Sequence, residues 1–268
     1  MQLLVQFIMR LSFGLAAAML CVSPRQVTSG YYRNNLYVLL GLAVLASLAA
    51  WMSDSALAVW PPVVVAVASY LGAVAWLYEK AGPGLAALAV IAGGSLAGAW
   101  LSQPAAATDA PAGVAAGENV ATGPSVPGDL SNVLWTLDPV GGGLVLGVTM
   151  ASMLLGHWYL NAPGMPLAPL KRLVACMVAA LLVRALLAAI GLALEQRTET
   201  FDLSQWLFVA MRWSMGVVGG LIVAVMARQT LKIPNTQSAT GILYVGVVLT
   251  FVGELTAQLL SRGKPFPL

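Results

Sequence analysis

Eight long apolar runs, separated by charged residues, prolines or asparagines, constrain this chain more than any other feature of its sequence. They cover approximately residues 3–22, 36–52, 61–77, 83–101, 139–159, 173–194, 206–227 and 240–260. A helix needs about 20 apolar residues to cross a hydrocarbon core of about 30 Å. The runs are rich in Ala and Leu and lack the two-residue alternation of an outer-membrane strand. The sequence therefore predicts an all-α, polytopic transmembrane helix bundle of about eight spans.

The composition supports the same fold class. Apolar residues make up 59% of the 268 positions and charged residues only 9%, too few to cover the surface of a water-soluble protein. We therefore expect the lipid bilayer to be the chain's main partner. The net charge of +3 gives no reason to expect a nucleic-acid partner.

The first run leaves the number of membrane spans open, because Arg10 interrupts it and residues 11–22 alone resemble the apolar region of a signal peptide. A cleaved signal would reduce the number of spans to seven. No Ala-x-Ala-like site lies between the end of the apolar run and Pro24, and the start of the chain before Arg10 carries few charges. These observations favour a retained helix.

The predicted organisation is one membrane domain over residues 1–268. Residues 1–101 contain spans one to four, and residues 139–268 contain spans five to eight. Between them, residues 102–138 are rich in Ala, Gly, Pro and Thr and end at Asp138. Such a composition is typical of a flexible polar loop.

The basic residues between the spans predict the orientation, because Lys and Arg are enriched in short cytoplasmic loops. Seven lie on one predicted face and three on the other. The first set is Arg25, Arg33, Lys80, Lys171, Arg172, Arg228 and Lys232, and the second is Arg197, Arg262 and Lys264. This bias places both termini and the 102–138 loop outside the cell membrane, on the periplasmic side if this is a bacterial inner membrane.

Four charged residues fall inside the predicted spans, where each is costly in hydrocarbon and must face protein, water or a ligand. They are Arg10, Arg184, Arg212 and Glu254. We expect Glu254 to pair with Arg212 or Arg184, which leaves positive charge for an anionic or carbonyl-bearing ligand. The alternative is an ion-pair network that only locks helices together. The predicted spans contain no second carboxylate beside Glu254.

Three further residues are ligand-binding candidates. Tyr244 and Gln258 belong to a predicted stripe of residues that includes Glu254. The members of this stripe are spaced three or four positions apart, which places them on one face of a helix. His157 lies at the predicted cytoplasmic end of the fifth span, where it could relay a proton, bind a quinone carbonyl or ligate a haem from one side. Its alternative role is an interfacial side chain satisfied by backbone or lipid.

The motif content favours binding over catalysis. A single histidine and two cysteines exclude, by ligand count, a structural zinc site or a bis-histidine haem built from this chain alone. The phosphate loop, the nucleophile elbow and the zinc-protease motif are missing from the sequence, and no motif identifies a cofactor. We therefore expect a non-enzymatic subunit that binds a membrane-complex partner or a quinone-like or anionic ligand. The alternative is a small proton-coupled transporter that uses Glu254.

Overall fold

The computed structural model describes residues 1–53, 56–103, 128–162, 164–197, 200–233 and 235–268. Eight helices in this described part are long and apolar enough to cross a membrane, which confirms the predicted all-α, multi-pass bundle. A π-helical segment (Arg212–Gly219) joins α7 to α8, so these three elements form the seventh span. The α-helices are α1 (Gln2–Leu20), α2 (Ser29–Trp51), α3 (Ala56–Leu77), α4 (Ala81–Leu101), α5 (Gly128–Asn161), α6 (Ala168–Glu195), α7 (Leu203–Met211), α8 (Gly220–Thr230) and α9 (Thr236–Leu260).

The two faces of the bundle follow from the even number of spans. Helix α1 begins and α9 ends at one face, which we call the terminal face. The α1–α2 and α3–α4 connections lie at the opposite face, together with the end of α5 and the start of α9.

Helix α5 is the centre of the bundle. It packs against α1, α6 and α9, and 78% of the residues in its most apolar 18-residue stretch are buried. Its contact with α1 depends on glycines, since a Cβ added to Gly14 would lie 1.7 Å from the carbonyl oxygen of Gly143. A Cβ on Gly216 would similarly lie 2.8 Å from the Cα of Gly253 in α9. The fifth and seventh spans are rich in glycine, and small residues let helix backbones approach closely. The structure shows this close packing at both spans.

The fifth helix begins at Gly128 and not at the predicted Pro139, so residues 128–138 do not belong to a loop. A proline inside a helix leaves the carbonyl four residues earlier without its N–H partner. Here that carbonyl is on Trp135, and Gln103 Nε2 donates to it at 2.7 Å. This replacement explains why the helix continues through Pro139. Residues 104–127 of the predicted loop lie outside the described residues.

The π-helical segment widens the seventh span over eight residues and begins at Arg212. Short π-helical insertions are rare in proteins and occur frequently at functional sites. The irregular part of this span therefore coincides with one of its charged residues.

Candidate functional site

Five buried charged side chains meet inside the bundle, one from each of five elements. Arg10 comes from α1, Asp138 from α5, Arg184 from α6, Arg212 from the π-helical segment and Glu254 from α9. Each is at most 5% exposed. At about 1.5 Å per residue, they lie roughly 9 to 16 Å from the helix ends at the terminal face. We call this group the charge cluster.

Arg184 connects the two carboxylates of the charge cluster. Its Nε donates to Glu254 Oε1 at 2.8 Å and its Nη2 donates to Glu254 Oε2 at 3.0 Å. Its Nη1 donates to Asp138 Oδ1 at 2.6 Å. The planar guanidinium thus binds Glu254 in a two-point contact and still reaches α5, which ties α6 to both α9 and α5.

Asp138 extends this network to α1. Its Oδ2 accepts a hydrogen bond from Arg10 Nη2 at 2.5 Å, while its Oδ1 accepts from Arg184. Four side chains therefore form one line in the order Arg10, Asp138, Arg184, Glu254. Gly142 makes room for it, because a Cβ there would lie 2.5 Å from Glu254 Oε2 and 3.2 Å from Arg10 Nη1.

Arg212 stands apart from this line. No carboxylate of the described residues lies within 4.0 Å of its guanidinium, and its buried Nη2 has no hydrogen-bond partner. Electrostatic interactions nevertheless connect it with the other four members of the charge cluster. Three arginines against two carboxylates leave the charge cluster with one surplus positive charge.

Further polar atoms beside the charge cluster lack partners. Arg10 Nε and Nη1 are buried without a hydrogen-bond acceptor. Gln258, one helical turn from Glu254 toward the terminal face, has both Oε1 and Nε2 buried and unsatisfied. A buried polar atom without a partner costs about 1–3 kcal/mol. Several of them beside one surplus cation indicate a place where a ligand or an ordered water completes the bonding.

The chain's C-terminal segment packs against the first turns of α5 at the terminal face. The carbonyl oxygen of Pro265 accepts hydrogen bonds from Ser131 Oγ at 2.6 Å and from Trp135 Nε1 at 3.0 Å. Phe266 and Leu268 are buried, at 3% and 1% exposure. The segment thereby closes this end of the bundle over α5.

The structure separates the predicted site residues into two groups. Arg184 and Glu254 form the predicted ion pair, while Arg212 lies in the charge cluster but does not contact Glu254 as the other predicted pairing required. Gln258 is adjacent to them. Tyr244 lies in the half of α9 nearer the opposite face, where it is 45% exposed.

Tyr244 is instead the neighbour of His157. Its hydroxyl lies 3.5 Å from His157 Nδ1, and the two rings meet edge to face with centroids 6.5 Å apart. Tyr244 and Glu254 lie within about 80° of each other around α9, so they share one face of the helix, but ten residues separate them by about 15 Å along its axis. Tyr244 therefore does not belong to the charge cluster.

Asp138 is the functional candidate that the sequence analysis missed. It was predicted to end an outer loop, and the expectation of no second carboxylate within the spans is wrong as well. The sequence contains two features that point to Asp138 as a buried residue. Three arginines beside one glutamate left an unusual excess of buried positive charge, and Leu130, Leu134 and Leu137 before Asp138 recur at helical spacing.

The donors of the charge cluster favour one kind of ligand. Among the described residues, no three His, Cys, Asp or Glu side chains come together in an arrangement that could hold a metal ion. The unpartnered groups here are mainly guanidinium N–H donors, which suit a negatively charged or carbonyl oxygen.

No protein-family model, curated protein or solved structure matches this chain.

Proposed function

We propose that this protein is a non-enzymatic, multi-pass membrane subunit that binds an anionic or carbonyl-bearing ligand, such as a quinone, at the charge cluster. One observation carries the proposal. Arg212 is 3% exposed, begins a π-helical segment, and has an unpartnered Nη2 in a group with surplus positive charge. A cation held in a bilayer without a partner normally marks a ligand or ion site.

The alternative role, an ion-pair network that only locks helices, accounts for part of the charge cluster. It explains Arg10, Asp138, Arg184 and Glu254, which already satisfy one another across α1, α5, α6 and α9. It does not explain Arg212, because an unpaired buried guanidinium weakens packing. Arg212 is therefore the residue that distinguishes the two roles.

An apolar groove supports a lipid-soluble ligand over a small aqueous anion. A cavity of about 300 Å³ lies between α1, α5 and α6, and its lining includes Cys21, Gly141 and Cys176. One end lies beside the charge cluster, since a Cβ on Gly141 would be 3.5 Å from Arg184 Cδ. A ligand with an apolar tail in this groove would bring its polar head to the charge cluster.

The proposed location is a cell membrane, and the proposed partners are other subunits of a membrane complex. The bias of basic residues favours the cell membrane, with a bacterial inner membrane as the specific case and both termini outside. A subunit should also bind fixed partners, and the pair of His157 and Tyr244 at the opposite face is a second polar feature available for such contacts.

The first experiment is gentle purification of the full chain from its native membrane, followed by identification of co-purifying proteins and extractable quinone. We expect a stoichiometric partner or bound quinone. Titration of the purified protein with a short-chain benzoquinone should then raise its unfolding temperature. Arg212→Gln should abolish this shift, whereas Arg172→Gln, an exposed arginine in α6, should retain it. An equal shift in both variants would contradict ligand binding at Arg212.

A second candidate function, a small proton-coupled transporter, is favoured by local irregularities in two of the spans. Transporter sites often form where membrane helices are broken. Here Pro139 directly follows Asp138, and the π-helical segment begins at Arg212. Glu254 would be the group that alternates between protonated and ionised forms. Liposomes that contain only this protein should then support proton-coupled anion flux, and Glu254→Gln should remove the coupling.

A further inference from the structure

A polar cavity at the opposite face is separate from the charge cluster. It has a volume of about 390 Å³ and lies between the α1–α2 connection and the α3–α4 turn. Its polar lining consists of Arg25, Gln26, Thr28, Ser29, Trp76 and Glu79. Because it lies where four spans end, it is at the depth of the lipid headgroups.

Aromatic packing fixes the walls of this cavity. Trp76 of α3 stacks on Tyr32 of α2 with ring centroids 4.1 Å apart and planes 10° from parallel. The Tyr32 hydroxyl donates to the carbonyl oxygen of Val22 at 2.7 Å, which holds the α1–α2 connection over the stack. The cavity is therefore built from restrained groups on both sides.

One part of the cavity is electropositive. Arg25 lines it, and so does the start of α2 at Thr28 and Ser29. The Thr28 hydroxyl accepts a hydrogen bond from Trp158 Nε1 at 2.9 Å and does not cap α2. The first N–H groups of a 23-residue helix are thus without a side-chain cap beside a guanidinium. Both features attract phosphate oxygens.

Two buried polar atoms of the cavity lining are unsatisfied, which is independent support for a ligand. Trp76 is 3% exposed, and its Nε1 has no acceptor. Gln26 Oε1 is also buried and has no donor. Buried polar atoms in folded proteins are normally paired. The open Gln26 acceptor, and the open Trp76 donor that packs against Gly84 in the first turn of α4, therefore indicate a polar partner at this end of the cavity.

The cavity also contains a negative group. Glu79 lines it from the α3–α4 turn, where its backbone has a φ of +57°, a left-handed conformation that non-glycine residues rarely adopt. Neither Arg25 nor Glu79 has an ion-pair partner within 4.0 Å among the described residues. Both charges are therefore available to a ligand that carries both signs.

We infer that this cavity binds a phosphoethanolamine group, with its phosphate at Arg25 and the start of α2 and its ammonium at Glu79. A phosphatidylethanolamine lipid supplies this group at headgroup depth, and soluble phosphoethanolamine supplies the same chemistry from water. The inference does not depend on the function proposed for the charge cluster, which lies toward the other face.

Native mass spectrometry of the purified full chain tests the site with three lipids of equal acyl chains. Phosphatidylethanolamine should be retained about tenfold more strongly than phosphatidylglycerol, which has no ammonium, or phosphatidylcholine, whose ammonium has no N–H. Arg25→Gln should weaken retention of phosphatidylethanolamine about tenfold, whereas Arg172→Gln should not. Glu79→Gln should also remove the preference over phosphatidylglycerol.

Competition with soluble phosphoethanolamine distinguishes the two sources. Displacement of the lipid at millimolar concentration would show that the headgroup alone is recognised. Retention of the lipid under the same conditions would assign the site to the membrane lipid. Equal retention of the three lipids by the wild-type protein overturns the inference, and so does an unchanged headgroup preference in a folded Glu79→Gln variant.

Discussion

Replacement of Arg212 by methionine should make the protein more stable, which is the opposite of what loss of a buried charged residue usually does. Methionine keeps a long, flexible side chain but removes the charge. Arg212 is buried and lacks an ion-pair partner among the described residues. The substitution therefore removes an uncompensated cation and breaks no salt bridge.

The magnitude follows from the terms that the structure contains. Burial of an ion costs several kcal/mol even after the protein relaxes. Attraction of Arg212 to Asp138 and Glu254 is opposed by repulsion from Arg10 and Arg184. The net term is unfavourable, and we expect Arg212→Met to increase the free energy of unfolding by about 1–3 kcal/mol.

Glu254→Gln provides the contrast within the same cluster. It removes the carboxylate that binds Arg184 through two hydrogen bonds at 2.8 and 3.0 Å. The charge surplus then rises from one to two, and the free energy of unfolding should fall by about 3–5 kcal/mol. Two substitutions in one cluster should thus have effects of opposite sign.

Thermal unfolding in one detergent, without added ligand, measures both effects. A change of 1 kcal/mol corresponds to roughly 2–4 °C in a protein of this size. The exposed control Arg172→Met should stay within about 0.5 kcal/mol of the wild-type protein. Destabilisation by Arg212→Met comparable to that of Glu254→Gln would refute the reasoning, because it would mean that Arg212 is paired and serves only to hold the helices together.

Three further predictions concern the scaffold. Gly147→Ala would place a Cβ 1.9 Å from the α1 backbone and should cost about 1–3 kcal/mol or more in thermal unfolding, whereas Gly241→Ala, with no atom within 4 Å, should not destabilise. Gln103→Leu should cost about 1–3 kcal/mol by the same measurement, because it leaves the Trp135 carbonyl unsatisfied at the Pro139 interruption. The pKa of Asp202 is lowered because its carboxylate accepts hydrogen bonds from the Gln205 N–H and the Ser204 hydroxyl at the start of α7. Its contribution to stability is therefore present above about pH 4 and lost as the pH falls, and the difference in unfolding temperature between wild type and Asp202→Ala should shrink below that pH.

The number and type of the helices could be predicted because each depends on a long local signal. A run of about 20 apolar residues has few alternatives to a membrane helix. The four in-span charges found this way, Arg10, Arg184, Arg212 and Glu254, all belong to the charge cluster. Their shared depth near one face was also accessible, because it requires only a count of residues from the ends of the spans.

The exact contacts could not be predicted, since they depend on atoms from helices far apart in the chain. The Pro139 interruption is tolerated only because Gln103, 32 residues before Trp135, supplies the missing donor. Pattern analysis assigns such a proline to a helix boundary, and that assignment moved Asp138 out of the bundle. The partner of Glu254 likewise depends on how α6 and α9 are rotated, which a single sequence does not specify.

Glycines hold the charge cluster in a close-packed part of the bundle and so make its charge imbalance energetically significant. Gly253, directly before Glu254, packs against Gly216 of the π-helical segment, and a Cβ on either would overlap the other's backbone. Gly142 lies against both Glu254 and Arg10. Helices packed this closely exclude bulk water, so the local dielectric is low and the surplus charge is weakly screened. A bound anion would therefore gain more free energy here than at an exposed arginine, and its binding should stabilise the same glycine contacts that exclude water.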